Sequence, residues 1–221
     1  MLPKYLYKVF DEKQYADDFL NNGRIRFSTL YYYKTHEDED RVDPTEGHGG
    51  GSKEGEALVI DLAKETMTPE AGIEELYVEG GEDSSFILCT SAPKSEKLQD
   101  LPIKFGKYVV RIKDPARLFK EIESAMRNDK ALEKNRPQLE GALIRYDKDE
   151  NLDELTDQKI KALGWAQKPA KYWDEFEYRF RFKIIEELIG SPEHYFISIG
   201  GKLSYCELIT RMGISPTGSE N

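Results

Sequence analysis

The sequence predicts an α+β domain built mostly from short strands, and three observations carry that expectation. Residues 175–184, E-F-E-Y-R-F-R-F-K-I, alternate without a break. Phe176, Tyr178, Phe180, Phe182 and Ile184 fall on one side of an extended chain, and Glu175, Glu177, Arg179, Arg181 and Lys183 on the other, which is the two-residue period of a strand with one apolar face. Further runs of the same kind bring the expected total to seven or more strands, with two or three punctuated helical stretches between them. Finally, 13 Tyr, 10 Phe and 2 Trp supply large apolar surfaces to a chain that is 38% hydrophobic and 33% charged. At 221 residues one domain is expected over 1–213, followed by a frayed tail over 214–221.

Residues 4–10 (K-Y-L-Y-K-V-F) read as a strand with Tyr5, Tyr7 and Val9 on one face and Leu6, Lys8 and Phe10 on the other. Asp11 is placed to cap a helix, with Gln14 in the capping-box position, a stripe of Tyr15, Ala16, Phe19 and Leu20, and Gly23 as the stop. Residues 24–30 alternate again, Ile25, Phe27 and Thr29 against Arg24, Arg26 and Ser28. After Tyr31, Tyr32 and Tyr33, an acidic, Gly-rich stretch over 34–56 is expected as a long loop, functional or disordered.

Strands are expected over 57–62, 76–79 and 84–90, the last two joined as a hairpin across Gly80 and Gly81, then a loop over 91–106 and a strand over 107–113. Asp114 and Pro115 open a helix with Leu118, Phe119, Ile122 and Met126 at helical spacing. A strand over 139–146, a short helix over 153–163, the alternating strand and a strand over 195–199 follow. A Gly200-Gly201 break then leads to an apolar run over 203–209, readable as strand or helix.

A net charge of -10 argues against a surface that wraps nucleic acid through phosphate contacts alone, while leaving room for a local basic groove. Cys89 and Cys206 sit in apolar runs and fit no metal or disulfide spacing, which points to thiols in a reducing compartment. His36, His48 and the nearby carboxylates form neither an H-E-x-x-H helix nor a calcium loop, so no metal is expected. With no membrane-length apolar run and no signal-peptide core, a cytoplasmic protein without membrane contact is expected.

Two carboxylates about 6.5 Å apart along a strand can steady positive charge at a sugar carbon, as cleavage of a glycosidic bond requires. The commoner explanation of the same pattern is a solvated, salt-bridged strand face. Taken together, L-Y-K-V in the first strand, F-L-N-N-G-R-I-R-F-S-T-L after the first helix, E-D-E-D-R-V-D-P-T-E-G in the loop and K-Y-W-D-E-F-E-Y-R late in the chain resemble ADP-ribosyltransferases. The likeness is to DarT-like toxins and related phage-defence and toxin-antitoxin proteins, over residues 5–47 and 168–182.

The resemblance implies a split, mostly antiparallel sheet with short flanking helices that grips NAD as co-substrate, with Glu177 catalytic and Glu175 the earlier member of a Glu-x-Glu pair. It implies NAD contacts from Tyr7 or Lys8, hydroxyls of Ser28 and Thr29 buttressing the catalytic Glu, Tyr31 or Tyr32 against the nicotinamide, and Arg41 at the pyrophosphate. Arg179 is placed on the substrate side, where it and Arg181 either pair with the two carboxylates or guide an anionic acceptor. Glu46 and Asp43 order the loop on that side. No His or Arg stands on the first strand, and Lys8 is the cation there. RNA or DNA is the favoured acceptor over protein, with an antitoxin protein as a further partner. Two other readings stay open: the same fold as a non-catalytic nucleotide- or protein-binding module, and the acidic loop as a mimic of nucleic acid.

Overall fold

The structure, a computed structural model, describes residues 2–35, 48–52, 56–61, 66–71, 75–79, 85–93, 106–146, 165–168, 170–184 and 192–209. The chain opens with β1 (Leu6–Phe10), α1 (Lys13–Asn22), β2 (Arg24–Thr29) and α2 (Leu30–Thr35). Next come β3 (His48–Ser52), β4 (Glu56–Asp61), β5 (Thr66–Ala71), β6 (Glu75–Glu79) and β7 (Ser85–Ser91). β8 (Tyr108–Ile112), α3 (Pro115–Asn128), β9 (Glu140–Leu143), β10 (Glu177–Lys183), β11 (His194–Ser198) and β12 (Cys206–Ile209) complete the described elements. The result is an α+β architecture with an open, antiparallel main sheet.

Eight strands form that sheet in the order β11-β2-β7-β1-β8-β12, with β10 paired to β7 and β9 to β10. β7 is its axis. S-F-I-L-C-T-S is apolar on both faces and nearly all buried, as a central strand must be. One edge of β7 takes β10 along its whole length, from Ser85↔Lys183 to Ser91↔Glu177. The other edge is divided. β2 pairs at Phe86 and Ile87, β1 pairs at Ser91, and the two arms part over Leu88, Cys89 and Thr90.

The larger core lies between one face of this sheet and the helices α1 and α3. Phe27 and Phe86 pack on Phe182 at 5.0 and 5.3 Å between ring centroids, with Phe180, Ile112, Leu118 and Ile122 around them. The opposite face of β7 is covered too, by Leu30, Ile144 and Trp165 around Ile87. Glu177 and Arg179 therefore face protein, where a solvated polar face was the commoner expectation, while Arg181 and Lys183 are half-buried.

Local punctuation explains the helices. Asp114 Oδ1 accepts from the Arg117 backbone N–H at 2.9 Å, Pro115 sits in the first turn, and Leu118, Ile122 and Met126 are buried, as the spacing predicts. Asp114→Ala should lower stability by about 1 kcal/mol, read as a shift of the urea midpoint; an unchanged midpoint would remove the cap from the account. At α1 the expected cap is corrected: Glu12, not Asp11, is the N-cap and its side chain caps nothing, while Gln14 donates to the Glu12 carboxylate. Gly23 ends α1 at φ 60° as expected. Tyr15 leaves the apolar stripe and is exposed.

Other expectations are revised. Leu30 through Thr35 is helical, with Tyr31 exposed and Tyr32 and Tyr33 half-buried. β6 pairs with β3, not β7: the doubly apolar β7 belongs in the main sheet, and turn glycines alone do not select a partner. His48–Ser52 is a strand where loop was expected, and β4 pairs with an unexpected β5. The alternating strand begins at Glu177, not Glu175, because Phe176 takes φ 44° after a 3-10 turn over Ala170–Glu175. The run at 203–209 resolves as a strand over Cys206–Ile209. The helix expected at 153–163, residues 36–47 of the loop expected over 34–56 and the tail at 214–221 lie outside the described residues. Among the described residues no helix is long and apolar enough to cross a membrane.

Candidate functional site

Where the arms part from β7, a cavity of about 420 Å³ opens. This falls within the range of about 300–1,000 Å³ usual for small-ligand sites. β1 contributes Tyr7 and Lys8, β7 contributes Cys89 and Thr90, and the floor is Lys168, Glu175, Glu177 and Arg179. Arg24, Arg26, Tyr32, His194 and Phe196 form the opposite wall.

The floor is a closed ionic network. Glu177 and Arg179 stand two apart on one face of β10, which brings a carboxylate and a guanidinium side by side. Arg179 Nε donates to Glu177 Oε1 at 2.8 Å and Nη2 to Oε2 at 3.1 Å, a bidentate pair, while Nη1 reaches the Trp165 carbonyl at 2.7 Å. Lys168 Nζ lies 2.9 Å from Glu175 Oε2 and 3.0 Å from Glu177 Oε2. None of the four is more than 8% exposed. Such burial is tolerable because two anions meet two cations with hydrogen bonds between them.

Burial alone would push the Glu177 carboxyl up; the charges of Arg179 and Lys168 and hydrogen bonds from Arg179 and the Cys89 thiol outweigh it, holding the group well below the ordinary carboxylate range. The same environment pushes Cys89 up, first by burial and then by the Glu177 charge. A carboxyl depressed by folding contributes stability that is present above its unfolded value, near 4.5, and lost as pH falls. On acidification from pH 7, wild type should therefore lose more stability than Glu177→Gln, measured as urea midpoints; parallel pH profiles would show that Glu177 is not held ionised by the fold.

The backbone locks this geometry. The Glu177 N–H donates to Tyr146 Oη at 2.7 Å, Ile144 N–H to the Glu177 carbonyl at 2.9 Å, and Ala92 N–H to the Phe176 carbonyl at 2.6 Å. The turn at Phe176 swings Glu175 back onto Lys168, so the two carboxylates meet through a shared ammonium instead of along a strand. Where β1 leaves β7, Lys8 Nζ donates to the Cys89 carbonyl at 3.0 Å.

Of the residues singled out in the sequence, Glu177, Glu175, Tyr7, Lys8, Tyr32 and Arg179 come together at the cavity. Several of their assignments change. Of the two roles open to Arg179, the structure shows the pairing: it is the buried partner of Glu177. Ser28 and Thr29 do not buttress Glu177: Ser28 Oγ lies 3.0 Å from His194 Nδ1, and Thr29 Oγ1 accepts from the Tyr32 N–H at 3.1 Å. Tyr31 is exposed and does not line the cavity. Arg41 and Glu46 lie outside the described residues. Lys168, His194, Arg24, Arg26 and Phe196 were not assigned from sequence; strand pairing alone sets His194 beside Ser28 and Phe196 beside Arg26.

The Glu177 carboxylate receives donors from Arg179, Lys168 and Cys89, close to the capacity of about four lone-pair positions. A ligand hydroxyl would reach it by displacing one of them. Among the described residues no cluster of His, Cys, Asp and Glu is arranged to hold a metal ion. Compared with known proteins, the chain matches no family model, no curated protein and no solved structure.

Proposed function

We propose that this protein is an NAD-dependent ADP-ribosyltransferase working at the forked sheet, as a toxin or antiviral effector. The observation that carries the reading is the Glu177 carboxylate, held ionised at the floor of a ligand-sized cleft between two diverging arms of the sheet. The residues present suit NAD. Lys8, Arg24 and Arg26 offer cations to a pyrophosphate, Tyr32 and Phe196 offer aromatic faces to a ring, and Glu177 offers an anion to a ribose. NAD supplies a glycosidic bond whose leaving group neutralises its own charge on departure, so no general acid is needed. The chain's part is to orient the ribose, exclude water and keep a fixed negative charge where positive charge develops.

A second reading has its own support. Because every donor on Glu177 is already an internal one, the site also suits a module that binds a nucleotide without cleaving it. Incubation with NAD separates the two. Nicotinamide release supports the transferase, whereas a rise in melting temperature without release supports the module. A protein that shows neither, with protein, RNA and DNA acceptors all supplied, rules out both.

A further inference from the structure

Arg179, Cys89 and Lys168 all offer a donor to the Glu177 carboxylate, and they differ in how firmly each is held. Arg179 reaches it through two bonds and is tied by a third to the Trp165 carbonyl at 2.7 Å, so its planar fork leaves only by breaking all three. Cys89 hangs from a paired length of β7, and its sulfur keeps its place even when the thiol proton turns aside. Lys168 is different. Its ammonium stands 3.0 Å from Glu177 Oε2 but 2.9 Å from Glu175 Oε2, and it lies over the Tyr172 ring at 5.3 Å from the centroid. A lysine is a point charge on a flexible four-carbon stem, with three donors and no fixed plane.

Both of those other partners ride on one short element. Tyr172 and Glu175 belong to the 3-10 turn over Ala170–Glu175, and the Phe176 backbone at φ 44° swings Glu175 onto the lysine. Released from Glu177, the ammonium would still face a carboxylate that is 2% exposed and an aromatic ring, so its charge stays compensated inside the protein. Lys168 lines the cavity beside Glu177, and a movement of its end clears room on the ligand's side. The Glu177–Arg179 pair is already balanced, and a second buried ion pair next to it is a costly way to gain stability alone.

We propose that Lys168 is a latch on Glu177: it holds one lone-pair position of the carboxylate until a ribose hydroxyl takes that position, and then withdraws onto Glu175 and Tyr172. The proposal rests on the reading of Glu177 as the anion that meets the ribose, and it makes Lys168 and Glu175 positioning residues. The exchange replaces one N–H···O contact with one O–H···O contact, and every proton stays on its own atom. Ligand affinity is thereby lowered by the cost of moving the lysine.

The test is NAD affinity by isothermal titration, with the KM and kcat of nicotinamide release in parallel, on wild type, Lys168→Met, Glu175→Gln and the double variant, each shown to be folded by its melting curve. Lys168→Met should bind NAD about tenfold more tightly, the scale of one charge-assisted hydrogen bond that no longer has to be displaced. Glu175→Gln removes the charge that draws the lysine away, and should raise Kd and KM about tenfold while kcat changes less. The double variant should match Lys168→Met, because Glu175 acts only through the lysine. It also keeps the floor balanced around Glu177 and Arg179, so its affinity against wild type decides the matter where a single substitution unfolds the chain. If removing Lys168 leaves NAD binding unchanged or weaker, or if the Glu175→Gln loss persists without the lysine, the latch is overturned, and nicotinamide release by wild type leaves the transferase standing. The expected affinities without any release uphold the latch and remove the transferase. No binding by any of the four proteins removes both.

Discussion

Glu177→Gln is expected to reduce nicotinamide release by about 10³-fold, the scale of losing a preorganised electrostatic partner of a transition state. The substitution keeps the size and planar shape of the side chain and removes only the charge. Binding of NAD, read by thermal shift on the folded variant, should change far less than turnover, because the anion matters most once positive charge develops at the sugar. Since the amide leaves Arg179 and Lys168 short of one countercharge, the melting temperature will fall, and activity must be measured well below it. Turnover within about tenfold of wild type, in protein shown to be folded, would mean that Glu177 is not the group facing the reacting carbon.

The second large effect is on stability. Arg179→Met should cost about 3–5 kcal/mol, a large part of the 5–15 kcal/mol typical of a domain, because it leaves a buried carboxylate facing only a shared lysine. The double variant Glu177→Leu/Arg179→Met should recover much of that loss, since Lys168 and Glu175 remain as a balanced pair. Urea denaturation of the two single and one double variants gives the coupling directly. An Arg179→Met protein as stable as wild type would show that the floor network does not hold β10 in place.

The sequence read well where the physics is local. Asp114-Pro115 opens α3 because a cap and a first-turn proline act within four residues, and Gly23 ends α1 for a similar reason. Alternation correctly assigns Tyr178, Phe180 and Phe182 to the apolar face of β10. It cannot say what covers the other face, because a period of two is the same whether odd positions meet water or Trp165. Phe176 defeats pattern reading altogether: a left-handed backbone at an aromatic residue has no sequence signal, and it alone decides that Glu175 meets Glu177 through Lys168. The Ser28–His194 contact and the place of Phe196 beside Arg26 required knowing that β2 pairs with β11, a long-range choice that neither strand's sequence states. Gly80-Gly81 carried turn chemistry but no information on partners, and β6 found β3 instead.

The bond from Lys8 to the Cys89 carbonyl joins β1 to β7 just past Tyr7↔Ser91, where their ladder ends. At that position a neighbouring strand would ordinarily supply a backbone N–H, and its absence would leave an acceptor that favours extending the β1–β7 ladder. A side-chain amine occupies that acceptor, so closure gains nothing there. Lys8 thus stands in for a ladder partner at this carbonyl, and a neutral residue in its place would leave the acceptor open to one.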